Sequence, residues 1–504
     1  MTLIQNFPFF CIILSMFSAI ISFVLKGKGA RNMHLFMVFA VHVMSLATLL
    51  FCIKSDQSYI YMMGHYPAPW GNEIRIGQLE AVMAVFFSGI MFFSVLGGLD
   101  HIERDIVDSR KNLFYIQLDL MMASLLALIY TNDLFTAYVF IEICTISACG
   151  LIMAKRMGRV YVSAIRYMVM SLVGSGLFLI GLSLLYCITG HLLMTPAKNA
   201  LENVVYFARF EVPMTVILIL LTVGLGIKSG LYPFHTWIPD AYGYTTPAAS
   251  AILSSLVSKG YIFLLIKLMV RVLPNKTLAW TQMTNVLFIF GVIGMMIGSI
   301  DAIREQNVRR MTAYSSVAQI GYIYMGLGLG TKAGIIAALF HVVSHGVMKA
   351  LLFISVSGLS DSSNGRIDRK GLTGAGFRNK LAGVGFTVGA MSMIGMPLLT
   401  GFVSKFMFAS AATEASTVKM ITAWIALAVS TVLNAVYFMR TVIVLYTPYE
   451  GVLIETKAED IQTNTITRSM EMIGVAALVA LCVYLGTMSP AVIDIISRGL
   501  ELFG

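Results

Sequence analysis

The sequence predicts an all-α polytopic membrane protein with about fourteen transmembrane helices, and three observations predict it. Of its 504 residues, 58% are hydrophobic and only 12% charged, with a mean hydropathy of +0.83, which is too apolar and too long for one soluble core. The apolar residues gather in runs of about 20, the helical length that crosses a hydrocarbon layer ~30 Å thick. Lysine and arginine alternate across the loops between these runs, with nineteen on one side and nine on the other, the C-terminus included. That bias marks the richer side as cytoplasmic and puts both termini on the opposite side, as an even number of spans requires. One helix missed or invented would scramble the alternation downstream of the error.

In chain order, the first run covers 7–25, and its start, MTLIQNFPFF, has no basic n-region and no A-x-A-like exit, so it reads as an uncleaved helix. The second (33–53) follows Lys26, Lys28 and Arg31. The third (80–99) and fourth (113–130) flank the basic loop of Arg104, Arg110 and Lys111, and the fifth (134–153) and sixth (164–188) flank that of Lys155, Arg156 and Arg159. The seventh (213–235) and eighth (248–270) each hold an internal lysine. The ninth (281–301), tenth (311–329) and eleventh (333–357) are joined by short loops. The twelfth (381–411), thirteenth (420–446) and fourteenth (469–489) complete the set. Residues 196–208 read as a short interfacial helix and 447–468 as a polar, mildly acidic connection.

Several function classes drop out. The net charge of +10 and pI near 9.2 follow from basic loops at a membrane surface and call for no nucleic acid. No Walker A loop and no G-x-G-x-x-G after a strand is present. The six cysteines lie in or at the ends of the runs without a C-x-x-C pair, so no disulfide framework, zinc ribbon or iron–sulfur cluster is expected. The 33 methionines and 31 phenylalanines read as lipid-facing and packing residues and nominate no cofactor.

The most informative stretch is 223–262, VGLGIKSGLYPFHTWIPDAYGYTTPAASAILSSLVSKGYI, which places Lys228 and Lys259 within apolar runs. A lysine at bilayer depth costs roughly 2.5–3.5 kcal/mol on insertion scales and is normally tolerated facing a protein interior or a wet cavity. Gly224, Gly226, Gly230 and Pro233 beside Lys228 predict a broken helix. The twelfth run, MSMIGMPLLTGFVSKFMF, echoes it with Gly395, Pro397 and Gly401 followed by Lys405. Five spans separate the two, and an odd offset reverses direction across the membrane, the signature of inverted repeats.

The intramembrane ionisable set is Glu142, Lys228, Lys259, His341, His345, Lys349 and Lys405. These residue types suit proton handling, because desolvation and a nearby carboxylate act in opposite senses on a lysine. Glu142 sits mid-run, and Lys228 is its expected partner. His341, His345 and Lys349 recur every four residues and so share one helix face. A zinc site is the rival reading of the histidine pair, but HVVSH lacks the glutamate of H-E-x-x-H and has no ligand nearby in sequence, so no metal is expected. The bland alternative for the whole set is static ion pairs and satisfied interior polar groups, with Lys349 merely bonding carbonyls. Lys267, Arg271 and Arg440 are expected to snorkel to an interface. His235 and Asp240 border the break, where each either guards a cavity mouth or caps a turn.

KSGLYPFHTWIPDAY and TTPAASAILSSLVSKGY, with VRRMTAYSSVAQIGYI at 308–323, FHVVSHGVMKALLFISVSG at 340–358 and GMPLLTGFVSKF at 395–406, resemble the signature of a known family. It comprises the antiporter-like subunits of Mrp sodium/proton antiporters, respiratory complex I and membrane-bound hydrogenases. The resemblance implies fourteen helices, inverted five-helix repeats over helices 4–8 and 9–13, and discontinuous helices 7 and 12. The corresponding divisions of this chain are 1–112, 113–270, 281–446 and 469–489 within a single transmembrane domain. It also implies a proton path in which Glu142 modulates Lys228, Lys259 is the central relay, His341 and His345 connect, and Lys405 lies on the exit side. His235, Asp240 and Lys349 are additional pathway or gate candidates. The closest resemblance is to the D-type Mrp subunit or its counterpart in a hydrogenase, with Leu398 departing from the Pro-Pro common at the twelfth-helix break. The implied setting is a prokaryotic-type cell membrane. The implied partners are other membrane subunits of an Mrp-type or redox complex, with protons as the cargo and sodium exchange left open. Redox chemistry belongs to those partners, and no cofactor is expected here. A non-conducting assembly scaffold is the competing reading.

Overall fold

Twelve helices among the described residues are long and apolar enough to cross a membrane. The computed structural model describes residues 3–66, 71–204, 210–448 and 465–503. Two further spans complete the expected fourteen: Val308–Gly328, and a helix broken into Lys380–Ile394 and Thr400–Ala412. We number the spans 1 (Phe7–Val24), 2 (Lys28–Ser55), 3 (Gln78–Gly97), 4 (Asp108–Tyr130), 5 (Leu134–Ile152) and 6 (Gly158–Thr189). Spans 7 (Glu211–Tyr244), 8 (Pro247–Val272), 9 (Met283–Arg304), 10 (Val308–Gly328) and 11 (Lys332–Asp361) follow. Span 12 is the broken helix, and spans 13 (Thr417–Leu445) and 14 (Thr465–Thr487) close the chain. This is a multi-pass membrane protein.

Burial sorts the spans into centre and periphery. The most apolar window of span 8 is 100% buried and that of span 11 is 89% buried, against 39% for spans 1, 2, 6 and 13. A fully enclosed helix can carry charge only if protein groups satisfy it, and these two enclosed spans carry Lys259, His341, His345 and Lys349. Spans 9 and 10 approach closely at Gly291 and Gly321. A Cβ on Gly291 would lie 2.3 Å from the Met325 nitrogen, so only glycine permits the contact.

Spans 7 and 12 are both discontinuous. Span 7 runs as an α-helix to Ser229, turns through Gly230 at φ +78°, and resumes through Phe234–Trp237 and Ile238–Tyr244. Span 12 turns at Gly395 (φ +99°) and Leu398 (φ +70°). Span 8 is continuous but contains wide π-helical turns at Leu253–Val257 and Leu268–Val272. Such turns withdraw carbonyls from the helical ladder and offer them to side chains.

Several short elements depart from the expectation of spans alone, among them the helices Asn275–Trp280 and Ala375–Arg378. A two-stranded antiparallel hairpin pairs Tyr59–Met62 with Glu73–Ile76 in the loop between spans 2 and 3. A short helix, Leu99–Asp105, lies between spans 3 and 4, and Ser489–Glu501 forms a helix after span 14. Residues 196–208 fall partly on the helix Met194–Val204, and most of the 447–468 connection lies outside the described residues.

Candidate functional site

Span 5 begins at Asp133, whose side chain accepts the Thr136 amide at 2.6 Å and fixes the helix start. Two turns farther on, the same span presents Glu142 and Thr145 to span 7. Lys228 is fully buried there, donates to the Thr145 hydroxyl at 2.8 Å and stands 3.7 Å from the Glu142 carboxylate. Glu142 keeps 25% of its side chain exposed, so the pair joins an enclosed cation to a partly open anion. The Tyr261 ring of span 8 lies 5.5 Å from the Lys228 ammonium, and its hydroxyl reaches Thr145 at 3.5 Å.

Lys259 follows on span 8 and has no carboxylate partner among the described residues. Its ammonium donates to the Ser254 carbonyl, in the wide turn, and to the Ser258 hydroxyl at 3.2 Å. The helix Ser258–Lys267 packs against span 11, which carries His341, His345 and Lys349. The two imidazoles are stacked, with centroids 5.6 Å apart and planes 4° from parallel, as their four-residue spacing predicts. Among the described residues neither nitrogen of His345 has a hydrogen-bond partner, nor does Nε2 of His341, while Nδ1 of His341 meets the Ser404 hydroxyl at 3.0 Å.

Ser404 adjoins Lys405 in the second half of span 12. The Lys405 ammonium donates to the Ile394 carbonyl at the helix break (2.8 Å) and to the Thr431 hydroxyl (3.0 Å). The Tyr322 ring bridges the two, lying 5.6 Å from that ammonium and 5.8 Å from the His341 ring. Spans 5, 7, 8, 11 and 12 thus bring six side chains into one buried series: Glu142, Lys228, Lys259, His345, His341 and Lys405. The hydroxyls of Thr145, Ser258 and Ser404 lie beside its basic groups.

The remaining candidates sit beside this series. Lys349 donates to the Thr312 carbonyl at 2.7 Å and to the Ser315 hydroxyl. His235 stacks on Tyr232 (5.4 Å) with its Nδ1 unpartnered. Asp240 is held between two guanidinium groups, Arg166 at 2.7 Å and Arg310 at 2.9 Å, and it joins spans 6, 7 and 10.

Two cations behave otherwise than expected. Lys267 does not snorkel but is fully buried, donating to the Leu128 (3.0 Å) and Thr131 (2.8 Å) carbonyls at the end of span 4. Arg271 is 2% exposed and pairs with the buried Glu80 of span 3 and with the Phe503 carbonyl. Arg440 remains exposed. Sequence reasoning also passed over His34 and Asp119, both fully buried and 2.6 Å apart. Asp119 had the same signal as Glu142, an acid in the middle of an apolar run. Among the described residues one cluster gathers metal-ligand types, Asp100, His101 and Asp361. The Arg104 guanidinium stands 2.6 Å from both of its carboxylates and pairs with each.

Residues 131–433 match the family model described as "NADH:quinone oxidoreductase/Mrp antiporter, TM", a segment that contains every member of the series. The chain belongs to this family. Subunit N of NADH-quinone oxidoreductase from Desulforudis audaxviator is 31% identical over 449 residues, covering 87% of this chain and 86% of that relative. The fold matches a chain of the Mrp complex from Dietzia sp. DQ12-45-1b with a TM-score of 0.85 at 20% identity, over 100% of this chain and 98% of that one. It also matches a chain of the membrane-bound sulfane sulfur reductase, an archaeal respiratory membrane complex, with a TM-score of 0.83 at 22% identity, over 99% and 97% of the two chains. Family membership agrees with the resemblance carried by the motifs, and the fold agrees with discontinuous helices five spans apart.

Proposed function

We propose that the chain is a proton-translocating, antiporter-like subunit of a multisubunit membrane complex, either an Mrp-type cation/proton antiporter or a redox-driven pump. The observation that carries this reading is the buried series from Glu142 to Lys405, with a lysine beside a helix break or a wide turn at each of its three basic stations. Glu142 and Lys228 load the proton. Lys259, His345 and His341 carry it across the middle, and Lys405 passes it on, with Thr145, Ser404 and Tyr322 bridging. The 3.7 Å separation of Glu142 and Lys228 is the control point. Opposite charges ~4 Å apart interact by roughly 4 kcal/mol at an effective dielectric of about 20, and doubling the distance halves that. Moving span 5 against span 7 therefore changes the affinity of Lys228 for its proton.

Lys349 is a side station whose hydrogen bonds to Thr312 and Ser315 hold it off the direct line, His235 is one that stacks on Tyr232, and Asp240 is a rim residue clamped by arginines. The divisions 113–270 and 281–446 are read as the two repeats, between 1–112 and 469–489. Both termini face away from the cytoplasm of a prokaryotic-type cell. Partners are the other membrane subunits, which supply any redox chemistry, and sodium exchange is left to them. The test uses the intact complex in liposomes with a pH-sensitive dye. Lys228→Ala and Lys405→Ala are each expected to abolish proton movement while the complex still assembles. Undiminished pumping by both variants removes the path, and loss of assembly instead favours the scaffold reading.

A further inference from the structure

A second buried ionisable pair lies on the other flank of span 4. Asp119 of span 4 and His34 of span 2 are fully buried, with Oδ1 and Nδ1 2.6 Å apart. Span 1 turns two hydroxyls toward the same carboxylate, and Oδ2 accepts from Ser18 at 2.8 Å and from Ser22 at 3.2 Å. Both oxygens of the carboxylate are thus engaged, whereas Nε2 of His34 has no partner among the described residues. A bare carboxylate beside a neutral imidazole would leave one uncompensated charge in a water-free site, at a cost of several kcal/mol. One proton held between Oδ1 and Nδ1 removes that charge, so the neutral pair carries this shared proton in addition to the ring's own N–H.

A static pair needs no route to water, yet this one has the makings of one. Lys111, Tyr115 and Asp119 recur every four residues and stack on one face of span 4. Tyr115 is buried with a hydroxyl that has no partner among the described residues, and its ring lies 5.7 Å from that of His34. At the head of the stack Lys111 pairs with Glu103 (2.7 Å) and Asp108 (2.8 Å), and Arg31, one turn from His34, reaches Glu103 at 3.4 Å. Glu103, Asp108 and Lys111, with Lys26 and Lys28, line an open cavity of about 620 Å³. These are the ionisable groups that face the pair: Tyr115 and Lys111 from span 4, Arg31 from span 2 and Glu103 from the Leu99–Asp105 helix, with only hydroxyls from span 1. Ser124, which approaches Cys144 beside the Glu142 series, is five residues from Asp119. At ~100° per residue it lies about 140° around the helix. The pair therefore opens away from that series.

We propose that His34 and Asp119 form a second proton-binding site, one exchangeable proton per chain, reached from the Glu103–Lys111 cavity by way of Tyr115 and separate from the Glu142-to-Lys405 series. The test is nitrogen-15 NMR of labelled histidine in the full chain reconstituted in lipid. His34→Gln identifies the resonance. If that variant does not fold, dipolar contact with a carbon-13 aspartate carboxylate identifies the same ring in the unaltered chain, at 2.6 Å against 3.2 Å for His101 and Asp361. The expected result is a His34 ring whose shared proton exchanges with solvent. Tyr115→Phe should slow that exchange about tenfold or more. A ring whose proton does not exchange overturns the site, and an unchanged rate in Tyr115→Phe overturns the route.

Discussion

Glu80 and Arg271 come from spans 3 and 8, are each about 1% exposed at the side chain, and touch one another in a region that water does not reach. The Arg271 guanidinium also donates to the Phe503 carbonyl and lies 3.8 Å over the Phe503 ring. Removing the carboxylate leaves a buried cation without its counter-charge, which costs about 3–5 kcal/mol, more than the pair itself contributes. Glu80→Gln should therefore lower the thermal unfolding midpoint of the detergent-solubilised chain sharply. The double variant Glu80→Gln with Arg271→Met should recover part of the loss, held back by the missing Phe503 contact. A Glu80→Gln chain as stable as its parent would show that the guanidinium is satisfied without Glu80. Lys228 and Glu142, 3.7 Å apart and partly wet, were legible in sequence because each is a lone charge deep in an apolar run. Glu80 and Arg271 were not legible. Both fall at run ends, where snorkelling is the ordinary outcome, and 191 positions separate them. Only the packing of spans 3 and 8 under the C-terminal residues encloses them.

The helix breaks were legible at the level of the element, since glycine and proline inside an apolar run leave few other structures. The backbone nevertheless meets the two turns differently. At Gly230 (φ +78°) a Cβ would lie 2.2 Å from Cδ1 of Ile238, so a side chain there suffers both the left-handed backbone and a clash. At Leu398 (φ +70°) a leucine already occupies that backbone region, with its side chain 73% exposed. The left-handed conformation costs an L-residue roughly 1–2 kcal/mol, and glycine returns about 0.5–1 kcal/mol of that as lost chain entropy. Gly230→Ala should thus destabilise by more than ~1 kcal/mol, whereas Leu398→Gly should be neutral or stabilising by about 0.5 kcal/mol. Unfolding midpoints of the two variants, measured side by side, check the opposite signs, and a Gly230→Ala chain of parental stability would refute this account of the span 7 break. The 59–76 hairpin, the Leu99–Asp105 helix and the Ser489–Glu501 helix escaped notice for one reason. A search for runs of about 20 apolar residues passes over elements of 4, 7 and 13 residues, even where their own periodicity is regular.

Across the whole molecule the described contacts between loops respect the division that the basic residues impose. On the richer side, Arg166, Asp240 and Arg310 join the starts of spans 6 and 10 to the end of span 7. There too Lys155 meets Asp105 at 2.9 Å and Arg104 meets Asp361 at 2.6 Å. On the poorer side, Arg75 reaches the Leu502 carbonyl, Lys332 pairs with Glu501, and Lys198 bonds the Val270 carbonyl. Two sets defined by counting charges in sequence thus become two faces in space, a result that a miscounted helix would have destroyed. Basic residues are retained on the cytoplasmic side during insertion, so the face bearing Arg104, Arg310 and Lys155 should be the inner one. Cysteine accessibility tests the assignment directly, because five of the six native cysteines are buried and Cys187, the exposed one, can be replaced by serine. In that background Asn199→Cys, exposed on the poorer face, should react with a membrane-impermeant maleimide in intact cells. Ser109→Cys, exposed on the richer face, should react only after permeabilisation. The reverse pattern would turn the chain over in the membrane, putting the Glu103–Lys111 cavity outside the cell and making the proposed route to His34 and Asp119 open to the external rather than the cytoplasmic side.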